Sequence, residues 1–408
     1  MPPPALSAWI AELTSVWSEL SVPQTRTLAV YSMGMVLAES SGLTKVAFCL
    51  SQWLQEPFAN VRERLRDFYC SPQDKSGQKR CGLDVEACFA GLLAWVLRRW
   101  KGSELPIAID ATTLGQRFVV LAISVVYAGT AIPVAWKILK ADAKGSWKAH
   151  WLRLLRNFRD VVPAEMKVIV LADRGLYAKW LYQCIVELSW HPYLRINTCD
   201  GQYKASDAAD YSPLRQLLSG PGQSVGKRVR LFRSPQAQLD CTLVACWSPS
   251  CAEPWVIATD LAPDQAKATW YGLRNWIERG FKHDKTGGMR WNNTRMTDPK
   301  RASVLWLVMA IARFLSVLGG AQYHEQRTEP ASDSTTTIPG TQQPAPPPRN
   351  PLLTGKVPRP VLSVLVTGLL LCRMAFLSGQ VPTTAVLTPA PWPDRLPAHL
   401  SSSAPVPP

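Results

Sequence analysis

Apolar positions follow two different periods along this chain, and the change between them marks a change of structure. Up to about residue 100 they recur every three or four positions, as in Leu6, Trp9, Leu13 and Trp17, which predicts amphipathic helices. From Leu105 onwards they form short, continuous apolar runs bounded by turn residues, which is typical of buried strands. The pattern therefore predicts a helical N-terminal domain followed by an α/β domain.

Two short helices are predicted close together in the N-terminal domain, at Leu43–Leu54 and Asn60–Phe68. The second carries Arg62 and Arg66, and the pair resembles a helix-turn-helix, in which the second helix enters the major groove of DNA. A short helical hairpin can equally serve as a scaffold. DNA contact through Arg62 and Arg66 is therefore one of two open interpretations.

Two of the predicted strands lead directly to an aspartate. The apolar run Leu105–Ile109 precedes Asp110, and Lys167–Ala172 precedes Asp173. One aspartate after a strand is more often a turn residue or a helix cap. Ligand sites in open α/β sheets nevertheless collect at the carboxyl ends of strands, so two such aspartates indicate a site. The other strands predicted in this domain are Arg117–Tyr127, Ile132–Leu139 and Tyr193–Ile196.

Residues 200–260 have a different sequence pattern: a polar, Gly-rich segment comes first, and several short strand candidates follow it. We interpret them as a small β subdomain inserted into the α/β domain. The Pro-, Thr-, Ser- and Gln-rich composition after residue 320 predicts disorder. The full predicted organisation is a helical domain at 1–100, the α/β domain at 101–199 and 261–320, the β insertion at 200–260, a disordered linker at 321–360, an apolar helix at 361–378 and a disordered tail at 379–408.

The proline-free stretch Tyr271–Lys285 is predicted to be an α-helix with four polar residues on one face. Tyr271, Arg274, Glu278 and Lys285 are spaced so that a carboxylate, two cations and a phenol share a single stripe. A solvated charged face is the ordinary alternative for a charged stretch. Apolar residues on the other sides of this helix favour a site that lies against a core.

The composition favours an acidic polymer as the partner. Over 408 residues the chain has 45 Lys and Arg against 30 Asp and Glu, a formal net charge of +15, which favours nucleic acid over a membrane surface. The 10 cysteines form no Cys-x-x-Cys pair, so reduced cytosolic thiols are a better interpretation than a zinc site. The first residues show no signal-peptide pattern, and we expect a cytoplasmic protein.

Two apolar stretches, Ala302–Leu318 and Val361–Leu377, approach the length of a membrane span. Arg313 and Arg373 interrupt them, and buried core helices are therefore predicted, with no membrane as partner. For the second stretch a dimer contact is the alternative.

The signature Tyr, two residues, Arg, three residues, Glu, six residues, Lys belongs to a family of bacterial insertion-sequence transposases, and Tyr271 to Lys285 reproduces it without a gap. With Asp110 and Asp173 ahead of it, the chain resembles the DDE transposases of that group. The resemblance implies an α/β fold: an RNase H-like mixed sheet flanked by helices, with a β-rich insertion, a helical N-terminal DNA-binding domain and a disordered Pro-rich C-terminal tail.

The resemblance also implies roles for individual residues. Asp110, Asp173 and Glu278 would hold two divalent metal ions, normally Mg²⁺, which Mn²⁺ can replace. Hard cations of this kind prefer carboxylate oxygens, and a pair of them suits in-line phosphoryl displacement. Arg274 and Lys285 would neutralise phosphates beside the scissile bond, the arginine by bidentate contact.

Further contacts to DNA are expected outside the carboxylates. Tyr271 would donate its hydroxyl to a phosphate oxygen, and Arg290 and Arg295 would continue a basic surface. In relatives a tryptophan of the insertion stacks on a base flipped out near the transposon end, and Trp255 matches that place. A strand tryptophan that faces the core is the plainer alternative for Trp255.

The function implied by the resemblance is DNA transposition in a bacterial, nucleoid-associated setting. The enzyme would cleave at the ends of its own element and join them to target DNA, with water and then a DNA 3′-hydroxyl as nucleophile. Double-stranded DNA (the terminal inverted repeats and the target) would be the partner, bound by a homodimer. A catalytically inactive DNA-binding protein and a metal-dependent nuclease without strand transfer are the alternatives.

Overall fold

The computed structural model describes residues 3–75, 81–199, 201–249, 251–328, 362–382 and 385–394. Its helices are α1 (Pro4–Val16), α2 (Val22–Ala38), α3 (Leu43–Leu54), α4 (Phe58–Tyr69), α5 (Cys88–Arg98), α6 (Lys148–Arg156), α7 (Lys179–Glu187), α8 (Asn275–Lys285), α9 (Pro299–Thr328) and α10 (Val364–Leu377). Its strands are β1 (Glu104–Leu114), β2 (Phe118–Tyr127), β3 (Thr130–Lys140), β4 (Lys167–Ala172), β5 (His191–Arg195), β6 (Gln202–Ala205), β7 (Ser212–Pro213), β8 (Ser224–Leu231), β9 (Leu239–Cys246) and β10 (Trp255–Thr259).

The N-terminal helices share one core with the long helix α9. Trp95 on α5 lies 5.5 Å from the Trp9 ring of α1 and 4.6 Å from the Phe314 ring of α9, measured between ring centroids. Aromatic pairs at such distances bury much apolar area and favour tilted or edge-to-face geometry. The helical domain is thus packed onto the α/β part through α9.

A single ten-stranded mixed sheet forms the centre of the molecule, in the order β3-β2-β1-β4-β5-β10-β9-β8-β6-β7. Strands β1, β2 and β3 form an antiparallel meander, and β1, β4 and β5 run parallel to each other. Helices cover the apolar runs that make β4 and its neighbours hydrophobic on both faces. The predicted mixed α/β fold with an RNase H-like sheet flanked by helices is confirmed.

The strands of the predicted insertion do not form a sheet of their own. Strand β10 pairs antiparallel with β5, with Ile257 opposite Arg195, and β9, β8, β6 and β7 extend the sheet beyond it. Without them β5 would be an open edge with unpaired backbone groups. The insertion is therefore continuous with the central sheet, and the division of the chain into domains stays a prediction.

Helix α9 is longer than the predicted apolar stretch and continues to Thr328, into the segment predicted as a linker. It is apolar enough to cross a membrane by length and composition, with a mean hydropathy of 2.0, but the whole of that apolar window is buried inside the protein. It is thus a core helix. The rest of the predicted linker, from residue 329, lies outside the described residues.

Helix α10 packs closely on α9 through glycines. A Cβ atom added to Gly368 would lie 1.6 Å from the carbonyl oxygen of Ser316, and one added to Gly320 would lie 1.9 Å from that of Val364. Only glycine allows backbones to approach so closely. In the tail, the described segment 385–394 also packs on the protein, with the Trp392 ring 4.7 Å from that of Trp270.

Candidate active site

The register of the parallel strands brings the two aspartates together. Ile109 of β1 is aligned with Ala172 of β4, so the residues that follow, Asp110 and Asp173, are neighbours at the same end of the sheet. Contrary to the sequence-based expectation, β1 does not end at Asp110 but continues to Leu114, because β2 still pairs with this part of it. Asp173 does come directly after the last residue of β4, as predicted.

The signature segment is not one continuous α-helix. Residues Ala268–Arg274 form a 3₁₀ helix, and α8 begins only at Asn275. Side chains three apart align in a 3₁₀ helix, so Tyr271 and Arg274 still share a face, and Arg274 and Glu278 are four apart in the α-helical turn that follows. The polar stripe therefore survives the change of helix type, with Tyr271 and Arg274 buried against the sheet and Glu278 exposed to solvent.

The guanidinium of Arg274 lies at the centre of the three carboxylates. Its Nη2 donates to Oδ2 of Asp110 at 2.9 Å and lies 3.8 Å from Oδ2 of Asp173, while its Nη1 donates to Oε1 of Glu278 at 2.6 Å. The Arg274 side chain is 9% exposed, whereas that of Glu278 is 55% exposed. We call these four residues the Arg274 cluster; it is closed on the sheet side and open on the α8 side.

Burial and neighbouring groups shift the pKa values of the two aspartates in opposite directions. Burial raises the pKa of Asp110, and the nearby Arg274 offsets only part of that effect. Burial also acts upward on the pKa of Asp173, but Arg274, the Arg174 amide, Arg195 and Tyr271 outweigh it and hold that pKa below its usual value. Three carboxylates surround one cation, so the cluster attracts further positive charge.

Tyr271 and Trp255 form the wall behind Asp173. The Tyr271 hydroxyl donates to Oδ1 of Asp173 at 3.2 Å, so in this structure it orients a carboxylate. The Trp255 ring lies 5.1 Å from the Tyr271 ring in an edge-to-face arrangement and is 9% exposed. The observed geometry of Trp255 is the core packing that was its alternative interpretation, while stacking on a DNA base stays a prediction.

The remaining predicted contacts differ in how exposed they are. Lys285 is half-buried near the end of α8, where burial lowers its pKa and the charge of Asp110 acts in the opposite direction. Arg290 and Arg295 are exposed in the loop after α8. On α4, Arg62 is exposed, whereas Arg66 pairs with Glu63 at 2.6 Å on the same helix.

Sequence reasoning missed a second basic group beside Asp173. Leu194 of β5 is aligned with Ala172, so Arg195 follows Asp173 across the sheet, and its Nη1 lies 4.0 Å from Oδ1 of that aspartate. Glu253 accepts from Arg195 at 2.6 Å and from Arg174 at 3.1 Å. A charged residue at the end of the next buried strand was the available signal for Arg195; Glu253, in a loop, had none.

The carboxylates fit a divalent metal in kind but not in their present positions. Among the residues that the structure describes, no three His, Cys, Asp or Glu side chains are arranged to hold a metal ion as they stand. The reason lies in the Arg274 cluster, where the guanidinium contacts the oxygens that a metal would use. Carboxylate oxygens in excess of positive charge are nevertheless the donors that Mg²⁺ prefers.

Three comparisons with known proteins show what this chain is similar to. A family model described as "Transposase DDE domain" matches residues 102–315, which contain all of the Arg274 cluster. The solved cryo-EM structure of a piggyBac transposase synaptic complex with hairpin DNA is similar to this chain with 10% sequence identity and a TM-score of 0.33, covering 83% of this chain and 84% of that one. A search of curated proteins gives no significant match.

Proposed function

Because the chain belongs to the family of transposases with a DDE domain, we propose that it cleaves DNA at the ends of an insertion sequence and joins those ends to a target. Asp110, Asp173 and Glu278 are the catalytic carboxylates in this proposal. The observation that carries it is their convergence on the single guanidinium of Arg274, although the three residues lie far apart in the sequence.

The three carboxylates are proposed to hold two Mg²⁺ ions, for which Mn²⁺ can substitute. When bound, such ions activate an attacking oxygen and stabilise the leaving oxygen of a phosphodiester. Arg274 would then release at least one of its carboxylates, and the N–H groups freed in this way would donate to phosphate oxygens. Tyr271 keeps Asp173 oriented through its hydroxyl, which donates to Oδ1.

The reaction needs no covalent bond to the protein. Water attacks the phosphorus and the bond to the 3′ oxygen breaks, which leaves a 3′-hydroxyl on the element end. That hydroxyl then attacks a phosphodiester of the target DNA, and one bond forms as another breaks. Lys285, half-buried and within electrostatic reach of Asp110, is proposed to neutralise a phosphate beside the reacting bond.

Charge and surface support double-stranded DNA as the partner. The net charge of +15 favours a polyanion. Arg290 and Arg295 are exposed after α8, and Arg62 is exposed on α4, so all three are free to contribute to a basic surface that binds DNA. We propose that the protein binds two element ends as a homodimer. We also propose that it acts on the nucleoid DNA in the cytoplasm of a bacterium.

The test is cleavage and joining of DNA that carries the sequences flanking the reading frame. Wild-type protein with Mg²⁺ is expected to cut and to give joined products. Asp110→Asn, Asp173→Asn and Glu278→Gln are each expected to lose at least about 100-fold in rate, since even the outer partners of metal ligands are worth 10–100-fold. Asp142→Asn is the control, because Asp142 is an exposed aspartate. Asp284, on another face of α8, is unsuitable for this purpose because it is buried.

Each other outcome has a definite meaning. Cleavage without joined products would identify a metal-dependent nuclease. DNA binding without cleavage under any metal would identify an inactive DNA-binding protein. Cleavage that persists in all three carboxylate variants would refute the assignment of the site.

A further inference from the structure

A cavity of about 630 Å³ lies between the N-terminal helices and the loop that follows α8. It is separate from the Arg274 cluster. Two helices begin at this cavity: Gly42, Leu43 and Thr44 of the α3 N-terminus line it, and so does Asp298, directly before α9. The cavity therefore receives the positive end of the α3 dipole, whereas the carboxylate of Asp298 already occupies the start of α9.

The N-terminus of α3 has no side chain to cap it. Gly42 occupies the capping position of this 12-residue helix, and no side chain hydrogen-bonds to the amides of its first turn. Uncapped first-turn amides together with the helix dipole form a ready site for an anion such as phosphate. A helix start alone would be weak evidence, since water satisfies many such amides.

Two buried hydroxyls at the same cavity lack a partner within the described part of the chain. There the Ser41 Oγ and the Tyr31 hydroxyl have no hydrogen-bond partner, although Ser41 is 1% exposed and Tyr31 is fully buried. Both residues line the cavity. A buried polar group without a partner costs free energy, and hydroxyls of this kind are satisfied by a bound ligand with acceptor oxygens.

The charged groups around the cavity leave positive charge in excess. Lys45 and Arg295 line it, and neither has an ion-pair partner among the described residues. Arg301 is paired with Asp74 at 2.6 Å. The one acidic lining residue, Asp298, accepts from the Arg301 amide at 2.8 Å and so caps α9.

The cavity is also tied to the catalytic sheet. The Ser41 amide donates to the Met289 carbonyl at 2.6 Å, four residues after α8 ends. Arg117, at the β1–β2 turn, donates to the carbonyls of Thr294 and Met296 in the same loop. An anion in the cavity would therefore contact a loop that is anchored to the strand bearing Asp110.

We propose that this cavity is a phosphate-binding site, in which the α3 amides, the Ser41 hydroxyl, Lys45 and Arg295 hold one phosphate group. If the proposed function holds, this phosphate group belongs to the backbone of a DNA duplex that crosses from the N-terminal helices to the catalytic sheet. A free phosphate ion presents the same chemistry, and the two sources are separated experimentally.

The experiment uses the full chain in EDTA, so that cleavage plays no part. Thermal unfolding is measured with inorganic phosphate and with chloride at equal ionic strength, and binding of a short DNA duplex is measured against salt concentration. Lys45→Gln is expected to lower the salt slope of duplex binding by about 1, and Ser41→Ala to weaken binding about tenfold. Both are expected to reduce the gain in Tm given by phosphate.

Matched controls separate this role from a structural one. Lys101→Gln removes an exposed cation at the opposite end of the sheet, and Thr242→Val removes another buried hydroxyl without a partner, far from the cavity on β9. Neither is expected to change duplex binding or the phosphate effect. Ser41→Ala is expected to unfold at the wild-type temperature or above it without phosphate, because it removes an unsatisfied group.

The outcomes distinguish the two sources of phosphate. Loss of both the duplex and the phosphate effects in the cavity variants supports a DNA phosphate. Loss of the phosphate effect alone supports a site for a free phosphate ion. Wild-type behaviour of Ser41→Ala and Lys45→Gln in both measurements would overturn the proposal. Failure of cleavage would leave these binding results unaffected and would count only against the proposed function.

Discussion

Helix α8 contributes one carboxylate to each of two arginine–carboxylate clusters, which differ in charge balance and exposure. In the Arg274 cluster one guanidinium meets three carboxylates, of which Glu278 is more than half exposed. In the second, which we call the Arg313 cluster, the Arg313 guanidinium meets the single carboxylate of Asp284 and the carbonyls of Gly280 and Ala131. Its two charged side chains are 1% and 5% exposed.

The difference separates a structural pair from a chemical site. The Arg313 cluster joins α8, α9 and β3. Because its two charges cancel, it does not attract a further ion. Gly280 allows this contact, because a Cβ there would lie 3.0 Å from Nη1 of Arg313. The four residues of the Arg274 cluster carry two more negative than positive charges, of which Arg195 beside Asp173 offsets a part, and the cluster has one open side. An excess of negative charge with an open side is the condition for binding cations and then a phosphodiester.

The largest effect is expected from removing the carboxylate of the Arg313 cluster. Asp284→Ala leaves a buried guanidinium without its counter-charge, and the free energy of unfolding is expected to fall by about 3–5 kcal/mol. Urea denaturation measures this change. The double variant Arg313→Met with Asp284→Leu is the control, since apolar replacement of a whole buried pair is often neutral. A loss in Asp284→Ala no greater than the roughly 1 kcal/mol typical of exposed pairs would contradict the comparison.

A smaller effect is expected from removing the guanidinium of the Arg274 cluster. Arg274→Gln leaves three carboxylates facing each other, which we expect to lower the unfolding free energy by about 2–3 kcal/mol, less than for a fully buried pair. Because a divalent cation can take over the neutralising role, added Mg²⁺ or Ca²⁺ is expected to raise the Tm of this variant more than that of wild type.

Arg313→Gln is the matched control for that rescue. It removes a guanidinium of the same size, but from a cluster with one carboxylate and almost no exposure. We expect it to be destabilised without any recovery in Mg²⁺. If the cation rescued both variants equally, or neither, the distinction between the two clusters would fail.

The smallest effect is the pH dependence of stability in EDTA, where Asp110 and Asp173 are expected to act with opposite sign. Burial raises the pKa of Asp110 on folding, so the folded protein takes up this proton at a higher pH than the unfolded chain does. The contribution of Asp110 to the free energy of unfolding therefore grows as the pH falls from neutral towards about 4. The pKa of Asp173 is lowered on folding, so its contribution is present above about 4 and is lost below that pH.

The measurement is the Tm of wild type, Asp110→Asn and Asp173→Asn across this pH range. The Tm of wild type minus that of Asp110→Asn is expected to increase on acidification towards pH ~4. The Tm of wild type minus that of Asp173→Asn is expected to decrease below that pH. Arg117→Gln, which removes contacts between the β1–β2 turn and the loop after α8, is not expected to give either trend. Two trends of the same sign would show that the asymmetry between the aspartates is misassigned.

Much of the site could be predicted from sequence because its residues follow local rules. A continuous apolar run specifies β4 and places Asp173 at its end, and the spacing of the signature places Arg274 and Glu278 on one face. The change to a 3₁₀ helix before Asn275 could not be predicted, since both helix types suit the same residues. The face survived because Tyr271 and Arg274 are three residues apart.

Other features depended on contacts between distant segments. Arg195 lies beside Asp173 only because β5 pairs with β4 in a particular register, and Glu253 reaches it from a loop 58 positions away. The Arg313–Asp284 pair joins two helices, and a charge within an apolar stretch was visible in the sequence without its partner. The insertion strands likewise found their place at the edge of β5, which no local pattern specifies.

The sequence by itself determined most of the helices and strands, the candidate acidic residues and the resemblance to the family, because apolar period, turn residues and motif spacing are local properties. Only the tertiary structure decided that Arg274 lies among three carboxylates, whereas Arg313 is buried against the single carboxylate of Asp284. Burial and charge balance arise from which segments pack together, and these set whether a charged group is held for stability or left available for chemistry.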